Sequence, residues 1–479
     1  MRNIKNDLKK GLVYTAIGKY SNMIFTILVN AILSRILTPK EYGVIAVLNV
    51  FIVFFQMISD IGLGPAIIQN HELNLKDYSI LFNYSGIFSS ILAICFGFLG
   101  LIIARIYDDS SYVILSWFSA PMILFYGFNS VPNAILLKNK VFKKVNINSI
   151  LSSVTGGVFG IICAFWGLGA KSLIISMTVI SFLLMFLNIK ASKIKFCLSL
   201  SLNSIKKVIK FASDQLVFNV VSYFSKNTDN MLIGKFLGTE SLGNYSKAYQ
   251  LLMYPNNILM GILNPVIQPV FAQFKGDVDS IRGAFLKIIH LIVLIGMPAS
   301  IFLSINAEPI IFFVFGDQWG HAIEPFRILS LTVWIQMLQS LSGVAYQTVN
   351  KTKIMLLNGI ISAIIIVISV IIGVSFGDVI SVSYSLALGF LLNFLISYYL
   401  ITTIAFKTNL IGLIKTMIKP IIISLISFFI LVFTKNVFIL DSLASFIQLF
   451  ISAIIFILIY LVLIILFGEA KLIKQALKN

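Results

Sequence analysis

Residues 12–38 read LVYTAIGKYSNMIFTILVNAILSRILT, and residues 212–238 read ASDQLVFNVVSYFSKNTDNMLIGKFLG. Each stretch is apolar over roughly the 20 residues that a helix needs to cross about 30 Å of hydrocarbon. Each also carries one line of polar side chains. In the first, Thr15, Lys19, Asn22, Thr26 and Asn30 follow at steps of four, three, four and four, which keeps them on one helical face. In the second, Gln215, Asn219, Ser222, Lys226 and Asn230 occupy the matching five positions. The same ungapped offset of 200 pairs Arg35 with Lys235, Leu37 with Leu237, Gly43 with Gly243, Pro65 with Pro265 and Ile67 with Ile267. Self-similarity of this kind marks a duplicated unit.

Working outward, apolar runs broken at polar or Pro/Gly punctuation predict fourteen membrane-spanning helices. They lie at 12–38, 42–68, 77–104, 110–136, 146–169, 172–189, 209–235, 241–272, 284–315, 325–349, 354–376, 378–405, 415–434 and 442–468. Six helices separate the first polar stripe from the second, so both begin on the same side of the membrane and the repeat is parallel. The expected architecture is all-α and integral to the membrane: an N-lobe of six helices over 1–205, a C-lobe of six over 206–406, and two further helices with a basic tail over 407–479. Placing both termini in the cytoplasm puts 26 of the 36 Lys and Arg residues on inner segments and seven on outer links. That asymmetry follows the positive-inside rule.

Composition excludes several classes. With 58% hydrophobic and 11% charged residues, the 479-residue chain has more apolar surface than a soluble core can hide. The net charge of +18 sits in short links between apolar runs, which argues for membrane topology rather than nucleic acid. The first apolar stretch has no small-residue cleavage site, so it is expected to stay as an anchor. Cys95, Cys163 and Cys197 are too scattered for a disulfide framework or a metal site. His71, His290 and His321 form no HExxH, and Gly167-Leu168-Gly169-Ala170-Lys171-Ser172 lacks the spacing of a phosphate loop. Gly156, Gly157 and Gly160 read as a small-residue patch for close helix contact. Asn350-Lys351-Thr352 fits a glycosylation pattern but falls on an inner link. No cofactor and no enzymatic activity are expected; binding and release remain.

The candidate binding residues are therefore the intramembrane polar groups. A charge near the bilayer centre costs several kcal/mol unless it is paired or wet, which places Lys19 and Lys226 against an aqueous cavity. Thr, Ser and Asn in the stripes also suit hydrogen bonds between packed helices. Lys247 is included because Gln250 and Asn257 continue its face. Asp60 and Asp229 are the acidic candidates for a coupling cation or proton, although Asp229, three residues from Lys226, equally suits an intrahelical ion pair.

Particular residues also resemble a known family. Ser34-Arg35-Ile36-Leu37-Thr38-Pro39-Lys40-Glu41-Tyr42-Gly43, Asp60 to Gln69, Asn129 to Pro132, Asn227 to Gly234, and Gly243-Asn244-Tyr245-Ser246 resemble the polysaccharide-exporting branch of the multidrug/oligosaccharidyl-lipid/polysaccharide flippase superfamily. That branch includes Wzx-type O-antigen and capsule repeat-unit flippases and teichuronic-acid exporters. The resemblance covers nearly the whole chain and is specific for the branch, not for the sugar. It implies two six-helix lobes around a central cavity that opens alternately to each side of the bacterial cytoplasmic membrane. It further implies an undecaprenyl-diphosphate-linked oligosaccharide as substrate, a groove for the lipid tail near helices thirteen and fourteen, and polymerase and chain-length proteins as partners. The few lysines here depart from the arginine-rich cavities of lipid II flippases.

Stripe and resemblance together assign the diphosphate to Lys19, Lys226 and Lys247 and the sugars to Thr15, Asn22, Thr26, Asn30, Gln215, Asn219, Ser222 and Asn230. The alternatives are a cation-coupled drug antiporter of the same superfamily, which would favour acidic cavity residues, and a membrane polysaccharide polymerase, which would need a larger outer loop than 316–324. A scaffold recruiting glycosyltransferases leaves the stripes unexplained.

Overall fold

The computed structural model describes residues 2–60, 63–70, 72–195, 223, 227–273, 277–437 and 444–470, with the side chains of 2–14, 17, 262–273 and 436 left aside. All regular structure among these residues is helical. Hydrocarbon offers no partners for backbone N–H and C=O groups, and a helix satisfies its own.

Two compact units divide the chain, Met1–Gly243 and Asn244–Asn479. The first contains α1 (Arg2–Ile36), α2 (Pro39–Asp60), α3 (Leu63–Gln69), α4 (Leu75–Tyr107), α5 (Ser111–Lys138), α6 (Phe142–Phe165) and α7 (Ala170–Ser192), with helical residues also at 227–236. α8 (Thr239–Gln273) crosses the boundary. The second continues with α9 (Val278–Ile305), α10 (Ala307–Phe315), a 3₁₀ turn (Asp317–Ala322), α11 (Ile323–Ser330), α12 (Val333–Thr348), α13 (Thr352–Ser375), α14 (Val379–Leu400), a π turn (Ile401–Ala405), α15 (Ile411–Val437) and α16 (Ser445–Leu466).

Ten of the described helices are long and apolar enough to span a membrane, or eleven if the pair Asp317–Ser330 and Val333–Thr348, bent by 54°, is one span. The expected spans at 12–38, 209–235 and 241–272 lie outside that set, and most of 209–235 lies outside the described residues. Two single spans expected from hydropathy are interrupted. The run 284–315 divides at Asn306, whose Nδ2 donates 3.0 Å to the Phe302 carbonyl, and 325–349 contains the 54° bend.

α4 shows how these helices are patterned. Ile87, Ile91, Ile94, Phe98, Leu101 and Ile102 are exposed along one side, whereas Ser85, Ser89, Ala93, Phe96, Gly97 and Gly100 are buried on the other. Apolar groups turn outward and small ones inward because lipid does not drive helices together; close approach does. A Cβ on Gly97 would stand 2.6 Å from the Trp117 ring, and one on Gly100 would stand 2.7 Å from the Ser116 Cβ. The glycine patch of α6 serves both of its neighbours. A Cβ on Gly160 would meet Ser176 of α7 at 2.7 Å, while one on Gly157 would meet Val29 of α1 at 2.6 Å. In the second unit, Gly373 of α13 plays the same part against Val382 of α14 at 2.5 Å.

Residues 223 and 227–243 belong with the first unit for visible reasons. Lys235 pairs with Asp108 at 2.8 Å, the Tyr107 hydroxyl donates 3.2 Å to the Met231 carbonyl, and the Tyr223 hydroxyl donates to the Val50 carbonyl. Compactness thus divides the chain after Gly243, later than the lobe boundary at 205 that the sequence leads one to expect.

Candidate functional site

The stripe of α1 sits on a helix whose adjacent face is fastened to α6. A Cβ on Gly18 would meet the Asn146 side chain, and Phe25 and Val29 contact the Gly157 position. One residue further round, Thr15 and Lys19 are exposed and Asn22, Thr26 and Asn30 are half-buried. The polar groups support one another along the helix. Thr26 Oγ1 donates to the Asn22 carbonyl at 2.8 Å, Asn30 Nδ2 to the Thr26 carbonyl at 2.9 Å, and Ser34 Oγ to the Asn30 carbonyl at 2.5 Å. Donors that bond back by one turn can occupy a membrane helix without a partner helix. The ladder leaves the Lys19 ammonium, one turn before Asn22, as the exposed charge of the stripe.

Of the second stripe, Gln215, Asn219, Ser222 and Lys226 lie outside the described residues. Asn230 is half-buried, and its backbone N–H donates 2.8 Å to the buried Asp229 carboxylate. An ion pair from Asp229 to Lys226 likewise falls outside what is described.

Asp60 ends α2 and is held rather than open. Ser130 Oγ of α5 donates to its Oδ1, and the backbone of Gly64 hydrogen-bonds to it, tying the end of α2 and the start of α3 to α5. Among the described residues, no group of three or more His, Cys, Asp or Glu is placed to hold a metal ion.

Lys247 departs from its sequence reading. It is only 2% exposed, and its Nζ lies 4.8 Å from the Phe315 ring centroid and 5.7 Å from that of Trp319. Its helical phase pointed to the polar face, but two rings that follow α9 cover the ammonium and hold it by cation–π attraction. In this conformation Lys247 is enclosed, not presented to a diphosphate.

Sequence reasoning missed two buried amide clusters. In the first unit Asn148 Nδ2 donates 2.8 Å to Asn188 Oδ1, and Asn188 Nδ2 donates 2.8 Å to Asn129 Oδ1, joining α6, α7 and α5. In the second, Ser397 Oγ donates 2.8 Å to Asn358 Oδ1 and Ser362 Oγ donates 2.6 Å to Asn393 Oδ1, joining α13 and α14. The partners come from different helices, so spacing along any one helix, including the steps of four from Asn358 to Ser362 and from Asn393 to Ser397, does not announce the contacts. Replacing Asn188 with Leu strands an Asn148 donor and an Asn129 acceptor in a dry interior, at an expected cost of about 2 kcal/mol or more. Thermal unfolding of the purified chain in detergent checks this; an unchanged melting temperature would remove the cluster from the fold's supports.

Comparison with known proteins adds a second line. A family model described as polysaccharide biosynthesis protein matches residues 32–324. The chain is 25% identical over 345 residues to teichuronic acid biosynthesis protein TuaB of Bacillus subtilis, covering 72% of this chain and 71% of that one. It is 24% identical over 302 residues to succinoglycan biosynthesis transport protein ExoT of Rhizobium meliloti, covering 63% and 61%. Among solved structures it is similar to lipid II flippase MurJ in an inward closed conformation, with TM-score 0.75 at 18% identity over 96% of this chain and 99% of that one. That last likeness concerns the fold alone, a multi-pass helical membrane protein.

Proposed function

The chain belongs to the polysaccharide biosynthesis protein family, and from that premise we propose that it is a flippase for undecaprenyl-diphosphate-linked oligosaccharide repeat units. It carries them from the inner to the outer face of the bacterial cytoplasmic membrane for capsule, O-antigen, exopolysaccharide or teichuronic acid synthesis. Both termini lie in the cytoplasm, and lobes 1–205 and 206–406 alternate access to a polar path between them. Helices over 407–479 accompany the second lobe, and polymerase and chain-length proteins receive the product.

The observation that carries this reading is the exposed ammonium of Lys19 at the end of an amide and hydroxyl ladder. A doubly charged head group and hydrated sugars cannot pass through hydrocarbon, so the protein must provide a wet, polar route while the lipid tail stays in the bilayer. A lysine suits the diphosphate because its ammonium is a compact point charge. The two relatives' names attach to two different polymers, so a feature other than one sugar has to be read; the diphosphate is such a feature. Lys19 and Lys226 take that role. Thr15, Asn22, Thr26 and Asn30, with Gln215, Asn219, Ser222 and Asn230 of the second stripe, hydrogen-bond the sugars. Asp60 and Asp229, which each accept a hydrogen bond from the protein and keep further lone pairs, are the acidic groups for a coupling cation or proton.

Deleting the gene in its native host is expected to remove the surface polymer while lipid-linked oligosaccharide accumulates on the cytoplasmic face. A drug antiporter would leave that pool unchanged. Surface polymer at the parental level, with no inner accumulation, would overturn the proposal.

A further inference from the structure

Two adjoining cavities of the second unit lie outside the polar path. The first, of about 520 Å³, is a groove bordered by α12, α14 and α15. Phe394, Tyr398, Leu413 and Met417 are buried at its floor, whereas Leu395, Tyr399, Ile414 and Ile418 stand exposed at its rims. The Tyr398 hydroxyl turns away and donates 2.8 Å to the Leu338 carbonyl, which leaves the floor apolar. The second cavity, of about 480 Å³, lies where α9 begins and where α14 passes into α15. Beside Phe285 and Phe406 its lining carries Arg282, Thr408 and Asn409.

The two cavities share Leu413, and one line of rings runs under both. Phe406 and Phe285 lie 5.3 Å apart between centroids, Phe285 and Tyr398 6.2 Å, Tyr398 and Phe394 4.7 Å, and Phe394 and Trp334 5.6 Å. The chain reversal after α14 supplies the polar end. Lys407 takes a left-handed φ of 53°, and the Thr408 N–H returns 2.8 Å to the Thr402 carbonyl, so Thr408 and Asn409 come to the cavity that Arg282 lines. Together the cavities make one amphipathic site, cationic at one end and apolar at the other.

Arg282 is the charged side chain of the lining. Asp279, 81% exposed, meets its Nη1 at 3.1 Å; such an exposed pair is weak, and a guanidinium has five N–H groups, so donors are left for an anion. Lys407 and Lys415 stand exposed on the same stretch of chain and add to the positive field. Basic pockets between membrane helices take anionic lipid head groups from the cytoplasmic side. We propose that this site holds an anionic glycerophospholipid of the inner leaflet, its phosphodiester on Arg282 and Asn409 and one acyl chain in the groove over Phe394 and Tyr398. The choice of leaflet rests on the topology of the export reading; the site itself does not. An acyl chain gains little by leaving lipid for an equally apolar groove, so the head group sets the preference. One phosphodiester charge matches one guanidinium, whereas the exported diphosphate belongs to the lysines of the stripes.

Delipidated full-length chain in detergent, titrated with phosphatidylglycerol, phosphatidylethanolamine or undecaprenyl phosphate and weighed by native mass spectrometry, tests this. Phosphatidylglycerol is expected to bind about tenfold more tightly than phosphatidylethanolamine, and Arg282→Gln to remove most of that preference. Equal binding of the two phospholipids marks ordinary boundary lipid and overturns the site. A preference untouched by Arg282→Gln, or tighter binding of undecaprenyl phosphate than of phosphatidylglycerol, overturns it as well. Should Arg282→Gln fail to accumulate, lipids with brominated chains report on Trp334 of the groove in the parental chain. Brominated phosphatidylglycerol is expected to quench at about tenfold lower concentration than brominated phosphatidylethanolamine, and Trp334→Phe to abolish that difference. Quenching by both at one concentration, or a difference that survives Trp334→Phe, overturns the site. Neither measurement involves transport, so its failure leaves the export reading intact.

Discussion

Replacing Gly43 with alanine is expected to prevent the protein from accumulating in folded form, and replacing Gly243 with alanine to do the same. A Cβ on Gly43, in the first turns of α2, would overlap the carbonyl oxygen of Thr239 and stand 2.5 Å from its carbon and 3.1 Å from the Gly243 nitrogen. A Cβ on Gly243 would overlap the Pro39 carbonyl oxygen and stand 2.8 Å from its carbon and 3.1 Å from the Gly43 nitrogen. Every atom in the way is backbone, so no rotamer change relieves the overlap. Overpacking ordinarily costs about 1–3 kcal/mol, and this one belongs at or above the upper end because two helix starts must separate.

Pro39 and Thr239, like Gly43 and Gly243, are equivalent under the offset of 200, and each glycine meets the partner of the other. Reciprocal contact of equivalents is what a local two-fold relation produces. Detergent extraction followed by size-exclusion profile and melting temperature measures the effect. Two controls isolate it: Gly359→Ala has nothing within 4 Å, and Gly64→Ala places its Cβ at an ordinary 3.7 Å from the Asp60 carboxylate. Parental yield and melting for Gly43→Ala would show that the two backbones do not approach this closely.

How far the sequence carried depended on whether the signal was periodic. The α1 stripe and the lipid-facing line of α4 repeat at helical spacing, so phase alone locates them. The break at Asn306 and the 54° bend after Ser330 lie inside continuous apolar composition, and hydropathy registers transfer energy, not direction. The enclosure of Lys247 is not legible because its own face is polar while its cover, Phe315 and Trp319, arrives from a distant segment. The same limit hid Asn129, Asn148 and Asn188: amides on three different helices carry no joint signal until the fold sets Asn188 at 2.8 Å from each of the other two. Glu469 stands just past the last expected span, 442–468, and only the packing of α9 and α15 around it buries its carboxylate.

Lys19→Glu is expected to lower export of the lipid-linked oligosaccharide at least about tenfold, equivalent to about 1.4 kcal/mol in the transport barrier. The side chain is exposed, and the hydrogen-bond ladder from Asn22 to Ser34 does not include it, so protein level and melting temperature should stay at parental values. The sign change matters more than the loss of a contact. A unit charge about 4 Å from a phosphate interacts by about 4 kcal/mol in a medium of intermediate polarity, and reversing it turns attraction into repulsion of similar size. Lys19→Ala removes only the attraction and should fall between parent and Lys19→Glu. Lys19→Arg keeps the charge and should retain most export. Lys226 occupies the matching position of the second stripe, so Lys19→Glu with Lys226→Glu should fall below either single variant if both ammonium groups read one diphosphate. Quantifying surface polymer and the inner lipid-linked pool in cells producing each variant separates these cases. Parental export by the double variant at normal protein level would remove the stripes from the transport path, because no route that carries a dianionic head group past two new carboxylates could remain unaffected.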